Sequence, residues 1–266
     1  MVLLSFLFGL VFGSFGNVLI YRIPRKYSIS WPASHCPACK TPIRWYDNIP
    51  VISWLILKGR CRACGAPIAI RYPLVELANG ILFVCAYARF GVTARSVVAA
   101  GFFFVLLVIA AIDIEHRKIP NALVFPATGI AAVILLAQAI GAPSLLPLVG
   151  SSEWYLPILA GLAASLSFYA LDMIALVVFK KPGVGAGDIK LLFLFGLVLG
   201  FYVFEAALIA VVLAAIVGIA VLYIRSKKGS SDSYVPLGPF LSLGAVLTVL
   251  FGPQLVSLYL EVAGIS

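Results

Sequence analysis

Long apolar stretches, parted by short polar ones, set the pattern of this chain. Mainly apolar runs cover roughly 1–21, 73–89, 96–114, 121–140, 156–179, 189–203, 206–224 and 238–259. A hydrocarbon core about 30 Å thick takes about 20 such residues per helical span. Backbone in lipid must satisfy its own hydrogen bonds, so the runs are read as helices. The pattern predicts an all-α polytopic membrane protein with about eight transmembrane helices. The run 206–224 carries no charge, whereas 189–203 is short and holds Gly196 and Gly200, so its ends are the least defined. The succession of short alternating strands that a membrane barrel needs is not there. Three parts follow: a first transmembrane helix at 1–21, a polar loop at 22–72, and a membrane domain at 73–266.

Composition fixes the solvent. The chain is 63% hydrophobic with a mean hydropathy of +1.12, and charged residues make up 11%; a soluble domain is about 45–50% apolar. A water-soluble fold is therefore excluded. The formal charge of +9 is mostly a topology signal. Of the 19 Lys and Arg, all but Arg89 and Arg95 fall in segments 22–71, 115–121, 180–190 and 225–237. Alternating spans put these segments on one side, which the positive-inside rule makes cytoplasmic, with the first residues outside. Anionic lipid headgroups are the expected partner of this basic face, and no nucleic acid is. The first segment has no basic residue before it and Arg22, Arg25 and Lys26 after it. That is the reverse of a secretory signal, so a retained anchor is expected.

The polar loop holds "CPACK" (Cys36, Cys39) and "CRACG" (Cys61, Cys64), with 21 residues between the pairs. This is the spacing of a structural zinc site, and four thiolates suit a closed tetrahedral ion. Pro37 in one pair and Gly65 in the other favour tight turns. A loop of this size has too little core to fold unaided, so the metal acts as a staple. Reactive or redox-switching thiols are the competing reading. His35 adjoins Cys36 but is not needed once four cysteines are present. Cys85 lies in a span and reads as a small buried hydrophobe.

The chain has 10 acidic residues. At membrane depth a carboxylate is costly and marks a function by default. Glu153, Asp232 and Glu261 fall in loops or at ends, and Asp47 in the polar loop. Glu76, Asp113, Asp172, Asp188 and Glu205 remain, with Glu115 near the surface. Asp113 closes one span in "AIDIEHRKIPN", where Pro120 and Asn121 end one helix and begin the next. Asp188 opens another in "KPGVGAGDIKLL", at the same cytoplasmic edge. Two carboxylates brought together there share a proton and act as acid and base on one water, as in aspartic proteases. The glycines before Asp188 let backbone approach a substrate strand and let a hinge move. The competing structural readings are Asp188 as a helix N-cap and Asp113 paired with Arg117 one turn on. Asp172, in "SFYALDMIAL", supports a different class, a zinc-stapled transporter using Asp172 and Glu205. A membrane-anchored tetra-cysteine redox sensor is a third class.

These motifs, taken in order, resemble those of bacterial type IV prepilin peptidases, leader peptidase/N-methyltransferases of the GxGD membrane aspartic protease type. "FGSFGNVLIYRIP" (12–24) resembles the opening motif. The cysteine pairs, "NIPVISWLILKGRC" and "RYPLVEL" follow in family order. "DIEHRKIPN" and "GVGAGDIKL" resemble the two catalytic motifs, and "VPLGPFLSLG" the segment before the last helix. Leu237 stands where many members have Phe, and Asp172 is outside the family pattern. The resemblance implies cleavage of a basic leader from prepilins and pseudopilins at the cytoplasmic face of the inner membrane. It implies N-methylation of the new first residue, usually Phe, with S-adenosylmethionine. It assigns catalysis to Asp113 and Asp188 and associates Gly59 and Arg60, with Glu76 a weaker candidate, with methyl transfer. No glycine-rich Rossmann loop locates the methyl donor.

Overall fold

The computed structural model describes residues 1–150, 154–180, 183–226 and 236–264, the side chains at 222 and 224–226 excepted. Glu153, Asp232 and most of the basic segment 225–237 lie outside the described residues, as do Lys181 and Pro182. The described chain is helical: α1 Val2–Arg22, α2 Ile52–Ile56, α3 Arg71–Phe90, α4 Ala94–His116, α5 Asn121–Ala139, α6 Leu156–Phe179, α7 Ala186–Leu199, α8 Val203–Ser226 and α9 Gly238–Val262. Its β-structure is limited to two isolated bridges in the polar loop.

Seven helical runs among the described residues are long and apolar enough to cross a membrane. One of them, Ala186–Val221, contains α7 and most of α8, so it accounts for two of the eight expected spans. The run expected at 189–203 is thus a 14-residue helix closed by a 3₁₀ turn at Gly200–Tyr202. At 1.5 Å per residue α7 is only about 21 Å long. Gly200 ends it because the chain there takes a left-handed turn, with φ at +61°.

Two compact units make up the fold, Met1–Ala111 and Ile112–Ser266, and the division falls within α4. In the first unit α1 lies along α3. Close approach rests on small residues: a Cβ on Gly9 would stand 2.7 Å from the Gly80 Cα, and one on Gly13 2.7 Å from the Glu76 Cα. Lipid supplies no hydrophobic drive between helices, so such stripes and interhelical hydrogen bonds hold them together. Asn79 Nδ2 donates to Gly9 O at 2.7 Å and Asn17 Nδ2 to Tyr72 O at 3.0 Å. The opening motif thus contributes to a helix–helix contact. Arg22 closes α1 and gathers the start of the loop, donating to the carbonyls of Ser28, Ile29 and Pro32.

In the second unit α7 is the centre. Its residues Leu191, Leu192, Phe195 and Leu199 have no exposed surface. Gly161 of α6 and Gly196 of α7 meet backbone to backbone. Few charged groups are tolerated in so apolar a packing, and Asp188 stands in the first turn of this helix.

Candidate active site and metal centre

The second unit brings the two aspartates of the sequence patterns together. Asp113 is 5% exposed and Asp188 7%, and the two carboxylates are close enough to interact electrostatically. Each accepts one backbone N–H. Gly238 donates to Asp113 Oδ2 at 3.0 Å, and Gly185 donates to Asp188 Oδ2 at 3.2 Å. Gly238 is the first residue of α9, so the Asp113 carboxylate faces the positive end of a long helix. The N-cap of α7 is Gly185 and not Asp188, which is the third residue of the helix and reaches back to the N-cap amide. Arg117 meets Asp113 through the backbone, its N–H donating to Asp113 O at 2.8 Å.

The glycines of "GVGAGD" answer to space. None of Gly183, Gly185 and Gly187 has a positive φ. A Cβ on Gly185 would sit 2.8 Å from Asp188 Oδ2, and one on Gly187 2.8 Å from Ile119 Cβ. The segment of the first motif around Ile119 therefore lies directly on the second. Lys190 Nζ strengthens that contact, donating to Asn121 Oδ1 at 3.3 Å. Gly238 is crowded in the same way, since a Cβ there would stand 2.6 Å from Asp113 Oδ2. The sequence reading gave Gly238 no role; the signal was a glycine at the start of a helix in "PLGPF", where a bare N–H points at whatever lies before it.

The other membrane carboxylates are placed differently. Asp172 Oδ1 accepts two loop amides, from Gly183 at 2.8 Å and Val184 at 2.9 Å. Glu205 lies in the first turn of α8, and its carboxylate oxygens are buried without a hydrogen-bond partner among the described residues. Asp172 is thus tied to the loop before α7, and Glu205 stands at the start of the helix that follows α7.

The four cysteines converge in the first unit. Their Sγ atoms all lie within 4.8 Å of one another, and Cys36 Sγ and Cys64 Sγ are 3.9 Å apart. Thiolates about 2.3 Å from a tetrahedral zinc stand about 3.8 Å from each other, so this donor set fits the ion. The two halves are built alike. Cys36 N–H bonds Thr41 O and Lys40 N–H bonds Cys36 O; Cys61 N–H bonds Ala66 O and Gly65 N–H bonds Cys61 O. The residue after each second cysteine, Lys40 or Gly65, takes a positive φ. Bridges between His35 and Pro42 and between Arg60 and Pro67 close the turns. The Thr41 side chain pulls the Cys39 thiol down to about 6, and backbone N–H groups of Cys64 and Ala63 lower that of Cys61; Cys64, crowded by the neighbouring thiols, is pushed up to about 11, so a bound cation would have to displace its proton, because ligation requires the thiolate. His35 is turned to its own backbone, with Nδ1 3.0 Å from Ala33 O. Cys85 is only half-buried in α3.

The three residues associated with methyl transfer are held by different contacts. Gly59 has a φ of +66°, and a Cβ there would stand 2.9 Å from the Trp54 ring. Trp54 Nε1 in turn donates to Ile68 O at 3.0 Å. Gly59 therefore shapes the second cysteine turn, and Arg60 beside it is exposed. Glu76, buried in α3, accepts Val51 N–H at 2.8 Å, and Ser14 and Asn17 of α1 also reach its carboxylate. An open cavity of about 290 Å³ lies next to Ser14, lined also by Val11, Phe15, Val18, Asn48 and Pro50.

Comparison with known proteins gives this geometry a context. Residues 7–90 match the model of the bacterial peptidase A24 N-terminal domain, and residues 100–222 that of the type IV leader peptidase family. The chain is 34% identical to the prepilin leader peptidase/N-methyltransferase of Bacillus subtilis (strain 168), over 99% of each protein. It is 32% identical to that of Stutzerimonas stutzeri, over 98% of this chain and 94% of that one. Identity to the Myxococcus xanthus (strain DK1622) protein of the same name is 38%, over 84% of this chain but 64% of that longer protein. No solved structure matches the chain. The two family matches and the near-full-length relatives together make this chain a member of the type IV leader peptidase family.

Proposed function

We propose that this chain is a membrane aspartic endopeptidase that removes the leader of type IV prepilins or pseudopilins and methylates the new N-terminal residue. The observation that carries the proteolytic half is the pair of buried carboxylates from α4 and α7, each held by one backbone amide. One carboxyl donates a proton to the departing amine while its ionised neighbour takes one from the attacking water. The apolar surroundings and the glycine-rich edge suit an extended peptide at the membrane surface. The preferred layout is a first span at 1–21, a metal-bound loop at 22–72 and the peptidase domain at 73–266. The clustering of basic residues supports a bacterial inner-membrane location with the N-terminus outside and both aspartates at the cytoplasmic face. Cysteine labelling should find the Cys36–Cys64 loop inside and Ser144 outside; both on one side would overturn that orientation.

Zinc would be held by Cys36, Cys39, Cys61 and Cys64, with no open position for chemistry. S-adenosylmethionine supplies an electrophilic methyl group when bound. The cavity beside Ser14 has room for part of it, at the low end of the roughly 300–1,000 Å³ of ligand pockets. Buried Asn17 Oδ1, which has no partner among the described residues, is an acceptor close by in sequence. Gly59 and Glu76 act here by shaping the loop around that opening, and Arg60 offers its exposed charge. The test is a prepilin peptide incubated with the protein in proteoliposomes and S-adenosylmethionine. A single cut and one added methyl group on the new N-terminus are expected. No cut, with the protein folded and metal-loaded, would overturn the proposal.

A further inference from the structure

Asp172 is a membrane carboxylate that neither the dyad nor the metal centre uses. It lies on α6, two turns before that helix ends at Phe179, so it is no cap for its own helix. Its Oδ1 receives both the Gly183 and the Val184 N–H. Lys180 turns the chain with a φ of +55°, and Gly183 lies against α6. A Cβ on Gly183 would be 2.8 Å from Ala175 Cβ, one turn along from Asp172. The next amide, Gly185 N–H, goes to Asp188. Three successive loop amides are thus committed, two to Asp172 and one to the candidate catalytic aspartate.

We propose that Asp172 is a positioning residue, whose carboxylate oxygen fixes the glycine loop on α6 and thereby sets the place of Asp188 opposite Asp113. The inference rests on the proteolytic reading above. Without this clamp, amides 183 and 184 would lose their acceptor, and a loop with an exposed Gly183 would sample other arrangements. A displacement of about 1 Å at a reacting group can cost about 10²-fold in rate. The clamp needs an acceptor with two lone pairs, not a charge or a proton. An asparagine carbonyl meets that need, and alanine does not.

Two measurements on the full-length protein in detergent decide the matter. Hydrogen exchange read over residues 183–188 should be slow in the wild type and in Asp172→Asn, and fast in Asp172→Ala. Cleavage of a prepilin peptide should fall roughly 10- to 100-fold in kcat for Asp172→Ala, with little change in KM. Asp172→Asn should restore it to within about threefold, as expected if neutral acceptors suffice. Methylation of a pre-cleaved peptide and metal content should be unchanged in both. Fast exchange at 183 and 184 in the wild type would overturn the proposal, and so would equal impairment of the Asn and Ala variants or normal cutting by Asp172→Ala. If Asp172→Ala does not purify, exchange in the wild type and Asp172→Asn still decides. A wild type that exchanges slowly but never cuts would contradict the proteolytic reading and leave the clamp standing.

Discussion

The cysteine turns of the first unit and the aspartate site of the second both join distant residues, yet they are built on opposite principles. Each cysteine pair is assembled locally. A pair of backbone hydrogen bonds spanning six residues folds "CPACKT" and "CRACGA" in the same way, so the only long-range step is the meeting of two finished halves. The aspartates have no such local frame. Asp113 depends on α9 for its amide, Asp188 on the loop before α7, and that loop on Asp172 in α6. A locally built site tolerates change in its surroundings. A site assembled from four helices makes each supporting residue matter.

The largest effect expected from this contrast is at the dyad itself. Replacing Asp113 or Asp188 by Asn keeps size and removes acid–base function, which is worth about 10²–10⁴ in rate. Each variant should lose detectable leader cleavage while keeping expression, metal content and methylation of a Phe-starting peptide. Peptide mass spectrometry reads all of these except metal, which elemental analysis supplies. Next in size is Gly238→Ala. The new methyl group would press on Asp113 Oδ2 at 2.6 Å, and cleavage should drop at least tenfold, within the about 10²-fold cost of an ångström-scale misplacement. Unaltered kinetics in that variant would show that the Gly238 contact does not position Asp113.

What the sequence disclosed follows the same division. The spans were legible because lipid demands long apolar helices, and the cysteine cluster because its spacing is local. The aspartate pair was legible as two helix ends, the last turns of α4 and the first of α7. Gly238, Asp172 and the contact of Ile119 with Gly187 were not, because backbone amides and close approaches leave no trace in hydropathy. The glycines of "GVGAGD" suggested a flexible hinge; in the fold they admit neighbours at van der Waals limits. Cys85 read as buried from its apolar run, but a lipid-facing helix exposes part of its surface. The end of 189–203 was misplaced because hydropathy runs on through the 3₁₀ turn into α8.

Effects in the first unit should be more selective. Cys36→Ser with Cys61→Ser should remove about one zinc per chain, as a four-thiolate site implies, and lower methyl transfer several-fold while some cleavage survives. Four free thiols in fully active protein would contradict the metal assignment. The smallest effect concerns Asp47, whose carboxylate is gripped by Arg62 at 2.7 Å. That side-chain hydrogen bond holds the Asp47 carboxyl below its usual range. A lowered folded value favours the fold above the usual carboxylate range, and the benefit is lost as pH falls through the lowered value. Asp47→Asn should therefore cost a little loop stability at neutral pH and nothing in strong acid. Thermal unfolding of the two proteins across that range checks it.

The proposed separation of two chemistries onto two differently built regions is tested most directly by one crossed assay. A prepilin peptide and its pre-cleaved product are each incubated with Asp188→Asn and with the Cys36→Ser, Cys61→Ser protein, and the products are weighed by mass spectrometry. The aspartate variant should methylate without cutting, and the cysteine variant should cut with methylation reduced. Near-normal cutting by Asp188→Asn, or loss of both activities in a folded variant of either kind, would contradict it.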